Sequence, residues 1–230
     1  MKLVPLPCLR CSTPVEVLED AVKFGVLCEA CIAKEIKEDR SKSREIGLSQ
    51  AWRRCCPELY RDTALDLLPY PELSQKALRW PLISNPGKEI VPGTGLNLWG
   101  VPRTGKTRTL YLILKKEHFN GAAVKIYGPS EFAQECELRD WSTAQWIRAL
   151  GKLDILAFDD IDKCKLSKSQ EDKFFAVLDA RIRNRKPVMF THNSTGEELT
   201  SYFRSGKAIV ERLRQHCTSI HFPEQRNLIS

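Results

Sequence analysis

The chain has 230 residues, 42% of them hydrophobic, with a formal net charge of +7 and a pI near 8.9. That length holds one sizeable α/β domain plus a small accessory module, and the apolar share is that of an ordinary globular core. No apolar run approaches the ~20 residues that span a bilayer, and Met1 to Cys8 is too short and too broken by proline for a secretory leader. Membrane and secreted classes are thereby set aside, and a cytoplasmic protein is expected. The surplus of Lys and Arg suits a polyanion such as nucleic acid, but charge alone does not select that partner.

The first readable element is a cysteine module. Nine cysteines in a reducing compartment favour metal binding over disulfides for some of them. Cys8-Leu9-Arg10-Cys11 and Cys28-Glu29-Ala30-Cys31 are two C-x2-C knuckles separated by residues 12 to 27, the spacing of a four-thiolate zinc site. Four thiolates leave no position open for water, so the metal is read as structural rather than catalytic. Val15, Val17, Val22, Phe24 and Val26 predict a hairpin between the knuckles, and residues 32–37 predict a helix. The result is a treble-clef or ribbon-like finger. So small a module cannot bury enough surface to fold alone, and Zn²⁺ would supply the missing stability. Its expected task is docking a protein or a nucleic acid; both remain open. The remaining cysteines, Cys55, Cys56, Cys136, Cys164 and Cys217, read as packing or surface residues.

The expected organisation is a zinc module with its following helix at 1–46, a lead-in at 47–92 and a nucleotide-binding domain at 93–230. Residues 34–54 are charged and read as a solvated helix face, with a DNA-contacting surface as the lesser alternative. A proline-rich stretch with short helices follows. Its segment Glu72 to Trp80 would pack Leu73, Ala77 and Trp80 onto the main domain.

After the apolar run Leu96 to Trp99 comes Gly100-Val101-Pro102-Arg103-Thr104-Gly105-Lys106-Thr107, a G-x4-G-K-T sequence between a strand and a helix. Glycines at these positions let backbone N–H groups turn inward around phosphate oxygens, and the helix that follows presents its positive end. Lys106 can reach the β- and γ-phosphates of ATP, and the Thr107 hydroxyl can ligate Mg²⁺. A helix ending near His118 and a strand over Ala122 to Tyr127 follow, then short helices around Ser130 to Glu137 and Thr143 to Leu150.

Leu153 to Asp160 is an apolar strand ending in two carboxylates, a Walker B pattern. A buried parallel strand delivers such acids to its carboxyl end, where open α/β sheets bind ligands. Asp159 is placed to hold Mg²⁺, and Asp160 to polarise an attacking water. Asp162 reads as a helix or turn residue rather than a third catalytic acid. Ser167 to Lys186 predicts a long amphipathic helix, and Pro187 to Asn193 another buried strand with a polar end. Thr191 and His192 there suit a turn or a helix cap, whereas Asn193 fits either a cap or a γ-phosphate contact. A helix from Gly206 to Cys217 and a last strand, Thr218 to Phe222, complete the pattern. Lys163, Lys165 and Lys168 form a basic loop that suits solvent and a DNA path equally well.

From about Pro57 to Phe222 the chain resembles the DnaC/IstB-like branch of AAA+ ATPases, the bacterial and phage helicase loaders. The resemblance rests on Gly100 to Thr107, Asp154 to Asp160, Pro187 to Asn193 and Ala208-Ile209-Val210-Glu211-Arg212-Leu213. It implies an α/β AAA+ fold, a parallel sheet flanked by helices, that binds ATP and Mg²⁺. It also implies hydrolysis of ATP, homo-oligomers formed on nucleotide or DNA, and partnership with a replicative helicase and single-stranded DNA. Residue by residue, Asn193 is similar to sensor 1, Arg212 to the arginine finger reaching a neighbour's γ-phosphate, and Arg226 to the sensor 2 arginine. Arg103 stands where many members have glycine, Asp160 where many have glutamate, and the tail lacks the usual Ser-x-Arg. A transposition helper of the IstB kind and a low-turnover nucleotide-binding adaptor acting through its zinc module are the alternative functions.

Overall fold

The computed structural model describes residues 3–18, 25–80, 95–128, 130–138, 142–163 and 165–224. The chain divides into two compact units, Met1–Gln50 and Ala51–Ser230. In the first, β1 (Leu3–Pro7) pairs antiparallel with β2 (Pro14–Leu18), in register from Leu3 opposite Leu18 to Pro7 opposite Pro14. The strands of this hairpin flank the first knuckle, so Cys8 to Cys11 occupy its turn, whereas the hairpin expected between the two knuckles falls partly on residues 19–24, outside the described residues. Prolines 5 and 7 mask β1 in the sequence, yet an edge strand tolerates proline because half of its N–H groups face solvent. Val22 and Phe24 lie outside the described residues. The helix α1 spans Glu29–Cys55, starting before Cys31 rather than after it, and the boundary between the units falls within it.

The second unit is built on a five-stranded parallel sheet. Its strands are β3 (Gly95–Gly100), β4 (Val124–Tyr127), β5 (Ile155–Phe158), β6 (Val188–His192) and β7 (Cys217–Phe222), in the order β4-β5-β6-β3-β7. Parallel pairing demands crossovers, which the helices α4 (Lys106–Phe119), α5 (Glu131–Leu138), α6 (Thr143–Lys152), α7 (Lys168–Arg183) and α9 (Gly206–His216) supply. Before the sheet come α2 (Glu58–Arg61), a 3-10 turn at Leu65–Leu67 and α3 (Pro71–Leu78).

One sheet face carries Leu96, Leu98, Ile155, Ala157 and Met189, packed on Leu110, Ile113 and Leu114 of α4. Those α4 residues recur at helical spacing, which gives the helix one apolar stripe. The other face buries Leu156, Phe158 and Phe190 against Phe132, Trp146, Phe174 and Val177. Alternation along β5 serves both faces, as a strand buried on two sides requires. The lead-in joins this unit closely: Ala77 is buried, Leu73 and Trp80 pack on the α4 core, and Ser74 shares a 2.7 Å hydroxyl hydrogen bond with Thr109.

A short helix, α8 (Gly196–Tyr202), had no counterpart in the expected elements. Its start is marked by a capping box in which Thr195 and Glu198 reciprocally satisfy each other's backbone N–H. Ser167 and Gln170 do the same for α7.

Candidate nucleotide-binding site

The loop from Gly100 to Thr107 connects β3 to α4 at the carboxyl edge of the sheet. Gly100 has φ +130°, and a Cβ there would lie 2.0 Å from Phe222 O, so only glycine lets β3 run into the loop beside β7. Arg103 adopts φ +64° and Gly105 +90°, both left-handed. The glycine common at the Arg103 position in the resembling family thus has a conformational reason, and this chain pays about 1–2 kcal/mol for a side chain there. Arg103→Gly is expected to stabilise the protein by up to about 1 kcal/mol, the looser unfolded chain offsetting part of the relief. Thermal unfolding checks this: the midpoint should hold or rise, and a clear fall would contradict it.

Lys106 is buried, and its ammonium donates to Gly100 O (2.8 Å), Val101 O (2.7 Å) and Asn193 Oδ1 (3.0 Å). Burial pulls its pKa down, while the charges of Asp160, Asp162 and Asp159 oppose that shift. The Thr104 hydroxyl closes the loop on Val101 O at 2.9 Å.

Across the cleft, Thr107 Oγ1 donates to Asp159 Oδ1 at 2.9 Å, directly joining the P-loop to the end of β5. Thr191 makes a second junction. Its hydroxyl donates to the same Asp159 oxygen at 2.5 Å and accepts from the Asp160 N–H at 2.7 Å. One side chain of β6 therefore orients the Asp159 carboxylate and anchors the Asp160 backbone. Burial raises the Asp159 pKa and the Asp160 charge adds to this, against the two hydroxyl donors. Asp160 sits at φ +52° and pairs with Lys163 Nζ at 2.5 Å.

Asp162 is a turn residue, as its sequence suggests, but a buried one with a positioning task. Its Oδ2 accepts from Asn193 N (2.8 Å), Ser194 N (2.9 Å) and Ser194 Oγ (2.7 Å), which fixes the loop that presents Asn193 to Lys106. Sequence reasoning missed this role and that of Thr191. The available signal for Thr191 was a polar residue within the fully buried run of β6, where a hydroxyl must find partners.

Gly100 itself, Val101 and the remaining loop residues lead into a cleft of about 680 Å³, lined by Pro102 to Arg108, Asp160, Lys163 and Asn193. Its other wall comes from the lead-in: Leu59, Tyr60, Leu67 and Pro69. Tyr60 is held there by stacking on Tyr111 at 4.5 Å, and Lys115 donates to Arg61 O at 3.0 Å. An apolar wall beside a phosphate-binding loop is suited to a flat base.

The structure therefore brings together the P-loop residues, Asp159, Asp160 and Asn193. Arg212 is elsewhere. On α9, its Nε donates to Asp179 Oδ1 of α7 at 2.9 Å, and its guanidinium lies 4.2 Å from the Phe175 ring centre. Arg226 falls outside the described residues. In the first unit, the sulfurs of Cys8, Cys11, Cys28 and Cys31 all lie within 4.8 Å of one another. Four sulfurs at ~2.3 Å from one tetrahedral ion would lie just under 4 Å apart, so the set fits Zn²⁺. The backbone N–H groups of Cys28 and Arg10 pull the Cys8 thiol down to about 6, while sharing hydrogen bonds with Cys28 and Cys11 pushes Cys31 up to about 12, as expected of thiols crowded together. Among the remaining cysteines, Cys56 and Cys136 are buried, Cys55 is exposed, and Cys164 is outside the described residues.

Sheet order, P-loop and paired acids together define the AAA+ P-loop fold, and known structures share it. The DnaC helicase loader aligns with a TM-score of 0.56 at 17% identity, over 72% of this chain and 99% of that one. DnaI aligns at 0.50 and 22%, over 64% and 93%. DnaA bound to AMPPCP, from Aquifex aeolicus, aligns at 0.52 and 18%, over 66% of this chain. This chain spans only 45% and 51% of two such DnaA structures. No protein-family model matches the sequence, and no curated protein matches it. The likeness is one of fold: the second unit shares the fold of these structures.

Proposed function

We propose that the protein is an ATP-dependent DNA replication factor that loads a replicative hexameric helicase onto DNA. One observation carries the reading: Lys106 bonded to Asn193, and Thr107 and Thr191 both bonded to Asp159, meet around the loop Gly100 to Thr107 of a DnaC-like fold. In this reading the backbone from Gly100 to Thr107 cradles the phosphates of ATP and Lys106 neutralises them. Thr107 and Asp159 would hold Mg²⁺, which supplies charge neutralisation on the phosphate oxygens. Asp160 polarises the attacking water, and Asn193 reports on the γ-phosphate. Thr191 and Asp162 hold these groups in place without touching substrate.

ATP hydrolysis then depends on assembly. Arg212 reaches a neighbouring copy's γ-phosphate only after exchanging its Asp179 contact for that phosphate. Arg226 is proposed to act as a second nucleotide-sensing cation. Zn²⁺ held by Cys8, Cys11, Cys28 and Cys31 shapes residues 1–46 into a docking module for the helicase, joined through 47–92 to the ATPase domain at 93–230. Single-stranded DNA is the expected nucleic-acid partner, and the cytoplasm the expected compartment. Among the described residues, no helix is long and apolar enough to cross a membrane.

The test is steady-state ATP hydrolysis at rising protein concentration, with and without single-stranded DNA. Wild type should gain specific activity as it assembles. Arg212→Ala should lose about 10³-fold or more in kcat, the scale of an arginine finger, with ATP affinity nearly unchanged. Equal turnover in both proteins would remove Arg212 from the reaction.

A further inference from the structure

The turn that follows β5 is pinned along its backbone. The Asp159 N–H donates to Tyr127 O at 2.9 Å, the Asp160 N–H to the Thr191 hydroxyl at 2.7 Å, and the Ile161 N–H to Thr191 O at 3.0 Å. Asp162 is tied to the backbone of Asn193 and Ser194, and the Lys163 N–H closes the turn on Asp160 O at 2.9 Å. These anchors hold Asp160 at φ +52°, a left-handed conformation that a side chain adopts only at a cost.

On this fixed frame, Lys163 Nζ lies 2.5 Å from Asp160 Oδ2. The carboxylate is thereby held to an ammonium rather than to a water. The hydrogen bond to Asp160 raises the Lys163 pKa against the effect of burial, so the ammonium keeps its proton at neutral pH. The two partners differ in freedom. The Asp160 side chain is 18% exposed and that of Lys163 54%, so the lysine is the one that can leave.

Lys163 borders two spaces. One is the cleft around Gly100 to Thr107, and the other is a neighbouring groove of about 580 Å³. Lys163, Lys165, Ser201 and Tyr202 line that groove beside Asp162 and Glu198. Both acids are engaged: Asp162 Oδ2 accepts three hydrogen bonds, and Glu198 Oε2 accepts from the Thr195 N–H at 2.7 Å. The groove therefore offers a ligand two ammonium groups, with the half-buried Tyr202 ring beside them, and that set suits phosphate. A single phosphate fills only a small part of this space. A strand that carries phosphates in series, with bases free to lie on an aromatic ring, fits it better.

We propose that Lys163 is a positioning residue that holds Asp160 away from the attacking water, and that a backbone phosphate of single-stranded DNA in this groove draws the ammonium off and frees the acid. The inference rests on the proposed role of Asp160 in ATP hydrolysis. Lys165 secures the strand, and Lys163 reports its arrival through its side chain alone, because the turn beneath it is fixed. DNA thus exchanges one ion pair for another, and the exchange is read as hydrolysis.

Steady-state ATP hydrolysis by the full chain, with and without oligothymidylate, tests the device. Lys163→Met and Lys163→Gln alter an exposed side chain and should leave the fold intact. Each should raise kcat without DNA about fivefold, the worth of a partly exposed ion pair, with KM for ATP little changed. Further stimulation by oligothymidylate should be lost in both. Lys163→Arg, which keeps the cation, should restore the low rate without DNA and the response to it. Lys165→Met should need about fivefold more oligothymidylate for half-maximal stimulation. Inorganic phosphate at the same phosphate concentration should not stimulate wild type, and equal stimulation by it overturns DNA as the occupant. A rate without DNA in Lys163→Met at or below that of wild type, or undiminished stimulation of that variant by DNA, overturns the proposal. Absence of hydrolysis in every variant overturns it as well, and calorimetry with AMPPCP then shows whether nucleotide binding at the P-loop has failed with it.

Discussion

Replacing Lys106 by alanine is expected to lower kcat/KM for ATP by about 10²–10³-fold, the usual loss when one preorganised donor to a phosphoryl group is removed. The ammonium is already oriented by Gly100 O, Val101 O and Asn193 Oδ1, so its charge meets phosphate with little reorganisation. The substitution removes that charge and also frees the Asn193 side chain from the P-loop. Both losses fall on the same step. Fold should survive, because Asn193 and the Lys106 position line an open cleft from which water can enter the space the ammonium leaves. Steady-state hydrolysis together with a melting curve checks this: near wild-type turnover in a folded variant would move the site away from Gly100 to Thr107.

The largest expected stability effect is at Arg181, far from the cleft. Its side chain is fully buried and pairs with backbone rather than with a carboxylate. It donates to Leu150 O, Asp154 O and Pro187 O, with two bonds to Pro187 at 3.2 and 2.6 Å. Burial pulls its pKa down to about 10, so it stays charged at neutral pH. Those carbonyls end α6 and precede β5 and β6, the strands that carry Asp159 and Thr191. Arg181→Met would strand three buried acceptors and should cost about 3–5 kcal/mol. For a domain of this size that corresponds to a fall in melting temperature of about 6–20 °C. Lysine offers no planar fork and should recover only a small part. A loss below about 1 kcal/mol in Arg181→Met would show that water or rearranged backbone satisfies those carbonyls.

What the sequence revealed was chemistry contained in contiguous residues. Gly100 to Thr107 and Leu153 to Asp160 each carry spacing, strand and ligand groups in one short run, and the structure places them across one cleft from each other. The four-cysteine set was legible for the same reason. Roles created by distant pairs were not. Thr191 matters because it meets Asp159 and Asp160, about 30 residues away in sequence, and nothing local distinguishes it from a strand-end threonine. Asp162 looks like any turn acid until Asn193 and Ser194 are brought to it. Tyr60 lies in a proline-rich lead-in and reaches the cleft by stacking on Tyr111, about 50 residues away in sequence. The β1 strand was hidden by prolines, which break a central strand but not an edge. Arg212 was singled out by the family resemblance rather than by its local sequence, and in this chain its side chain contacts Asp179.

The central claim is helicase loading, and it is tested most directly by adding the protein to the cognate replicative hexameric helicase on single-stranded DNA. Helicase retained on the DNA would be measured with ATP and Mg²⁺ present. The account predicts that wild type raises the amount loaded, while a folded Lys106→Ala variant does not. Loading unaffected by wild type, or raised equally by Lys106→Ala, would contradict it.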